Sequence, residues 1–469
     1  MTKPTKTPGL VSQQIARLSP SQRNILLFAG MGLLLIIVGI AQSWNVAFSI
    51  LNMCLISAIM ALGVNIQWGY AGLFNVGIMG FAALGGLAAV VVSMPPVEAA
   101  WAAGGLGVVA GLAIGIVTLL VSMLRWRRER ESALLVGMLI WRRGQGWGRW
   151  RYAVTGGVVV AGYVLMRMLI DPSTMAIEAV DSARTGYLGG LGLPIMLSWV
   201  VGGLFAAAAA WVVGKISLGL RADYLAIATL GISEIIIYVL KFEDWLSRGV
   251  KNVNGLPRPV PYEVDLQNNS WFVALAEDLN LPLVDASSLV VKICYALLFT
   301  VVLLAILWLS ETALRSPWGR MMRAIRDNET AANAMGKNVT RQHLLVFVLG
   351  SAVIGIAGAM LVTLDGQFTP TSYQPLRFTF LIWVMVIAGG SGNNWGAVLG
   401  GFLIWFFWIE AEPIGLWFID VLTSGLPPGH WLRLHLLESA AHTRLMTMGV
   451  ILLLVLRFSP RGLIPEARR

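Results

Sequence analysis

Charge is what this sequence has least of. Asp, Glu, Lys and Arg make up 12% of its 469 residues, about half of the roughly 25% carried by soluble domains. That is too little to clothe a water-facing surface. Cysteine is scarcer still: the two thiols, Cys54 and Cys294, lie inside apolar runs, where cysteine acts as a small hydrophobe sooner than as a ligand or half of a disulfide. They say nothing about redox compartment. The alternation of apolar and polar residues that marks membrane β-strands is missing, and so is any pairing of nucleophile with base. Gly336-Lys337-Asn338 lacks the glycine spacing and the Ser or Thr of a phosphate-cradling loop. Gly390-x-Gly392-x-x-x-Gly396 follows no strand, which excludes a dinucleotide loop. His435, Glu438 and His442 would share one side of a helix, but a solvated or interfacial helix explains them better than a metal. No catalytic residue, ATP site, metal or cofactor is expected.

Apolar residues are abundant instead, at 57% with a mean hydropathy of +0.74. They fall in runs near the ~20 residues that cross ~30 Å of hydrocarbon. Candidate spans are 24–43, 46–66, 71–94, 99–124, 153–170, 191–214, 222–241, 289–310, 343–364, 371–389, 396–411 and 443–457. The expectation is an all-α polytopic membrane protein of about 12 transmembrane helices, in the range 10–12. The first run follows Lys3, Lys6, Arg17 and Arg23. It is too long for a signal peptide and no A-x-A-like site follows it, so it should remain as the first span.

The net charge of +10 does not point to nucleic acid, because the basic residues gather in short loops that orient spans in a bilayer. The 125–152 loop holds eight arginines, and 311–342 holds Arg315, Arg320, Arg323, Arg326, Lys337 and Arg341. The tail 458–469 ends in Arg461, Arg468 and Arg469. Alternate loops lean acidic or mixed, the largest being 242–288. This pattern puts the tail 1–23, the loop 311–342 and the tail 458–469 in the cytoplasm around a transmembrane region 24–457. Gly389-Gly390-Ser391-Gly392 splits 371–411, and two short spans or a re-entrant pair both satisfy the charge rule.

The 311–342 loop has its own structure. Ser316-Pro317 supplies a helix start and Gly336 a stop. Between them Met321, Ala324, Ile325, Ala331, Ala332 and Met335 recur near a period of 3.6, giving a small apolar face. A face of alanines lets another protein approach closely and anchors poorly in lipid; a solvated loop helix is the plainer alternative. Elsewhere, Gly392, Gly396 and Gly400 are spaced four apart, as are Ser351, Gly355 and Ala359, the interval that lets helix backbones touch in lipid. Glu234 stands eleven residues beyond Asp223, about 16 Å by helical rise and so near mid-membrane. A functional carboxylate and a structural hydrogen bond are both open there.

Glu329-x-Ala331-Ala332-x-x-x-Gly336 resembles the EAA loop of ABC importer permeases, and Gly319-Arg320-x-x-Arg323-Ala324-Ile325-Arg326-Asp327-Asn328-Glu329 is similar to that of branched-chain amino acid permeases of the LivM type. Gly72-Leu73-Phe74-Asn75-Val76-Gly77 resembles the family's early Gly-rich span, with Asn75 where Ser is usual. Leu220–Gly231 with Glu234, Asn254–Pro257, Gly389–Gly396 and Ser459–Leu463 follow in the family's order. Residues 95–187 stand apart as an apparent insertion of two spans.

The resemblance implies an ABC importer permease fold in the bacterial inner membrane, without an ATPase site of its own. It further implies two cytoplasmic ABC ATPase subunits, a second homologous permease and a periplasmic binding protein, with lipid around them and no nucleic acid. Arg320, Arg323, Arg326, Asp327, Glu329, Ala331, Ala332 and Gly336 would form the helix docking on the ATPase. Asn75, Glu234, Gly389, Gly390 and Gly392 would line the substrate pathway. The implied substrates are branched-chain amino acids. A urea or short-chain amide permease is the nearest rival, and an ion-coupled carrier, which would show paired intramembrane ionisable groups and repeats, the more distant one.

Overall fold

The computed structural model describes residues 20–136, 147–182, 185–425, 427 and 430–466. Its main elements are α1 (Pro20–Ala41), α2 (Trp44–Ala71), α3 (Ile78–Ser93), α4 (Leu106–Val136), α5 (Trp147–Val180), α6 (Ile195–Ser217), α7 (Ala222–Phe242), α8 (Leu283–Arg315), α9 (Pro317–Asp327), α10 (Glu329–Ala334), α11 (Val339–Asp365), α12 (Pro375–Gly389), α13 (Asn394–Leu422), α14 (Trp431–Glu438) and α15 (Thr443–Phe458). The chain is an all-α multi-pass membrane protein. Each of the twelve apolar runs contains a helix. By length and composition nine helices among the described residues suffice to cross a membrane, or ten if α14 and α15 form one bent span. At 16 and 15 residues, α3 and α12 rise roughly 24 and 22 Å, less than the hydrocarbon thickness. Lys3, Lys6, Arg17, Arg468 and Arg469 lie outside the described residues, as does the middle of the basic 125–152 loop. The expected helix through His435, Glu438 and His442 is interrupted, because a 3-10 turn, Ser439–His442, separates α14 from α15.

The chain forms two compact units, one of residues 1–92, 194–238 and 254–469, the other of residues 93–193 and 239–253. In the first, α2 is the central post. From Cys54 to Gln67 every residue is buried, and α1, α8, α11, α12 and α13 pack around it. A helix apolar on all sides belongs in such a core. Backbones come together where side chains vanish. A Cβ on Gly63 would lie 2.8 Å from the Gly350 carbonyl oxygen, and one on Gly401 would lie 2.6 Å from the Ala58 Cα. Gly355 faces the Gly202 carbonyl, and Gly396 and Gly400 face the Gly389 and Met385 carbonyls. These four-spaced positions are therefore helix-crossing points. Outward, α1 presents Ile25, Leu33 and Ile40, the face lipid would cover.

In the second unit α4 and α5 run antiparallel. Gly107 and Gly111 meet Ser173 and Ile170, and Gly162 meets Thr118. The unit takes in the segment 95–187. Polar pairs gather at one end: Arg167 bridges Asp171 at 2.9 Å and Glu243 at 3.3 Å, and Lys251 pairs with Glu178. Burial, with Glu178 nearby, holds the Asp244 carboxyl above the usual carboxylate range.

Candidate coupling and pathway site

The 317–336 region is two helices where the sequence suggested one. Ser316 caps α9 by accepting from the Gly319 N–H. Asn328 then leaves the helical region (φ −155°, ψ 94°) and its side chain accepts from the Ala331 N–H at 2.9 Å, opening α10. An Asn side chain that satisfies an orphan donor is a strong helix start, and here it outcompetes continuation of α9. Residue roles shift accordingly. Met322 and Ile325 are buried, while Ala324 and Ala331 are exposed and Met335 is 80% exposed. The inner face packs on α2 and α8. Arg320, Asp327, Glu329 and Gly336 are exposed, Arg323 is half-buried and Ala332 is buried.

Arg326 ties this region to the core. Its guanidinium donates to the Gly69 carbonyl, two residues before the end of α2, and to both oxygens of Glu466 at 3.0 and 3.3 Å. Such charge-assisted bonds are the strong class. The tail carrying Glu466 is itself laced to the Gly-rich break. The Leu463 and Ile464 N–H groups donate to the Ala388 and Gly389 carbonyls at 2.9 and 2.8 Å, and Asn393 donates to the Pro465 carbonyl. Gly390 sits at φ 122°, a conformation essentially confined to glycine, and the Ile464 carbonyl closes off the space where a Cβ would go. The break joins two separate helices, α12 and α13, that pack face to face.

Beneath it lies a buried polar cluster. Asn65 accepts from the Gly392 N–H at 2.9 Å and donates to Asn394 at 3.2 Å; Tyr70 also bonds Asn394, which donates to Glu311 at 3.0 Å. None of Asn65, Tyr70, Asn394 or Glu311 stood out in the sequence, since polar residues within apolar runs or at their ends acquire partners only when the runs meet.

The second half of the site is the gap between α2 and α3. Gly72 ends α2 in the left-handed region, φ 70°, and residues 73–77 run without helix before α3. Irregular backbone inside a helix bundle must find internal partners, and here it does. Asn75 donates to Gln67 at 2.9 Å and accepts from the Gly77 N–H at 2.8 Å. Thr229 receives the Val76 N–H, Ser233 receives the Gly80 N–H, and Trp383 donates to the Asn75 carbonyl. Gln67 in turn donates to the Phe347 carbonyl and to Ser351 of α11. Asn75→Ala should strand the Gln67 oxygen and the Gly77 N–H, costing about 2 kcal/mol at the usual price of buried unpaired groups; thermal unfolding in detergent would register it.

A family model described as branched-chain amino acid transport system / permease component matches residues 148–456. The chain belongs to that family. Among curated relatives, the permease is 28% identical over 249 residues to the high-affinity branched-chain amino acid transport system permease protein LivM of Escherichia coli, covering 52% of this chain and 57% of the relative. It is 25% identical over 330 residues to the probable LivM of Methanocaldococcus jannaschii, covering 66% and 82%. To the LivH permease protein of Salmonella typhimurium it is 24% identical over 241 residues, covering 51% and 66%. The chain spans a little over half the length of the E. coli and Salmonella LivM relatives. No solved structure matches.

The expected pathway residues of the permease are spread over three elements. Asn75 lies in the α2–α3 gap, and Gly389, Gly390 and Gly392 lie at the tail-bound break. Glu234 is half-buried on α7, where its neighbour Ser233, with Thr229, makes the contacts to the gap. The most buried carboxylate among the described residues is Glu410, 3% exposed on α13, accepting from Gln42, just past the end of α1, at 2.8 Å. Sequence reading passed it over because it stands at the end of an aromatic run. Among the described residues no group of three His, Cys, Asp or Glu side chains could hold a metal.

Proposed function

We propose that this permease is the membrane-spanning subunit of an ATP-driven importer for branched-chain or related amino acids in the bacterial inner membrane. It would cross the membrane about twelve times with both termini in the cytoplasm. The observation that carries this reading is the Arg326 link: a helix pair with one exposed face, α9–α10, is bonded to the end of α2 next to a non-helical gap. A partner pressing on α9–α10 would pull on Gly69, shift the α2–α3 gap and its hydrogen bonds to α7, α11 and α12, and so open one side of the bundle while closing the other. The permease contributes no ATP hydrolysis itself. Two cytoplasmic ATPase subunits, a second homologous permease, a periplasmic binding protein and surrounding lipid complete the assembly.

The exposed Glu329, Ala331 and Met335 form the surface offered to the ATPase. Co-purification from membranes tests it. Wild type should retain an ATPase subunit, and Glu329→Arg and Gly336→Trp should each lose most of it, while all three insert in equal amounts. Solute uptake by the chain alone, with no ATPase in any sample, would point to a secondary carrier instead.

A further inference from the structure

The first unit encloses a cavity of about 200 Å³ between α2, α3, α11, α12, α13 and the 366–374 turn. That is below the 300–1,000 Å³ of sites for drug-sized molecules and fits one small solute. Its lining is graded. Met60, Met79, Ile382 and Met385, all buried, make an apolar floor, whereas Asp365, Gln367 and Ser372 are exposed and polar. Three further lining side chains carry hydrogen-bond donors with no partner among the described residues: Thr369 Oγ1, Tyr373 Oη and Trp405 Nε1. Tyr373 is only 5% exposed. A buried hydroxyl left unpaired costs about 1–3 kcal/mol, so three such groups around one cavity mark a place for an absent acceptor.

We propose that this cavity is the permease's own substrate site, holding one α-amino acid with an aliphatic side chain. The ammonium pairs with Asp365, which no hydrogen bond or ion pair occupies among the described residues. The carboxylate accepts from Thr369, Tyr373 and Trp405, the last a donor only. The side chain rests on the methionine and isoleucine floor, whose thioethers adapt to chains of different branching. One carboxylate facing several donors over an apolar bed suits a zwitterion with a hydrophobic end. Urea has neither an ammonium for Asp365 nor an apolar body for the floor, so the cavity separates the two substrate classes that the sequence left side by side. The assignment rests on the importer reading for its direction of transport, but not for binding itself.

Equilibrium binding of radiolabelled L-leucine to the purified full-length permease in nanodiscs tests it, without binding protein or ATP. Isoamylamine, isocaproate and urea serve as competitors. Isoamylamine and isocaproate, each lacking one charged group of leucine, should compete at least about tenfold more weakly than leucine, and urea not at all. Asp365→Asn should weaken leucine at least about tenfold and leave isocaproate unchanged. Tyr373→Phe should weaken leucine and isocaproate but not isoamylamine. Neither substitution removes a partnered group, and an unchanged melting temperature checks that the fold survives. Absence of saturable leucine binding, unaltered leucine affinity in both variants, or effective competition by urea overturns the proposal. Retention of an ATPase in the same preparation reports on the importer reading separately: an ATPase that co-purifies with a permease that binds no leucine sinks the cavity and leaves the importer standing. Leucine bound without any ATPase does the reverse.

Discussion

Gly358→Leu should lower the melting temperature of the detergent-solubilised permease by roughly 3 °C, for an overpacking cost of about 3 kcal/mol, and should cut the yield of folded protein. A Cβ there would run into the carbonyl oxygen of Ala82 on α3. Its counterpart Gly85 would collide with Gly355, and Gly355 already touches Gly202 of α6. Three helices thus cross backbone to backbone, and no flexible side chain can move aside. Gly32→Ala is the matching control, since nothing lies within 4 Å of that position on α1. It should leave stability unchanged or raise it by about 0.5–1 kcal/mol, the ordinary helical preference for alanine.

Arg326→Ala should reduce ATP-driven uptake at least about tenfold in proteoliposomes while leaving insertion and ATPase docking near normal. The substitution removes hydrogen bonds to a charged group, each worth about 1.5–3 kcal/mol when lost, and leaves the Gly69 carbonyl and Glu466 without the guanidinium. The docking surface of Glu329, Ala331 and Met335 remains. Hydrolysis without matched transport is the signature sought. Equal loss of docking and transport would instead make Arg326 part of the ATPase interface. Glu466→Gln, which weakens one arm of the link and spares the bond to Gly69, should fall between wild type and Arg326→Ala.

Much of this was legible beforehand, and for a clear reason. Apolar runs, glycine breaks and the Ser316-Pro317 start are local signals, and each of the twelve runs contains a helix. The division at Asn328 was also local but needed a choice between two competing hydrogen-bond patterns. Periodicity alone favoured a continuous helix, and so it turned Met321 inward where Met322 is buried. The rest depended on contacts far apart in the chain. Asn65, inside an apolar segment, and Asn394 and Glu311, at the ends of two others, look unrelated until three helices bring them together. The cavity draws its polar groups from α11, α13 and the 366–374 turn, none of which carries a motif that announces a ligand. For Glu234, helical rise gives its place along α7 but not its contacts; rotation about the axis decides those, and on α7 it is Thr229 and Ser233 that bond Val76 and Gly80.

The tail that holds Gly389 and Arg326 also fixes an order of events during biosynthesis. Residues 463–466 leave the ribosome well after Arg326 and the Gly389 break, with α13, α14 and α15 made in between. The arm of the Arg326 link that reaches Glu466 therefore closes only once these later helices have been delivered to the bundle, whereas the arm to Gly69 needs none of them. A partially inserted chain would hold α9 to the core by the Gly69 arm alone, so the complete link forms only when the tail has been laced to the Gly389 break.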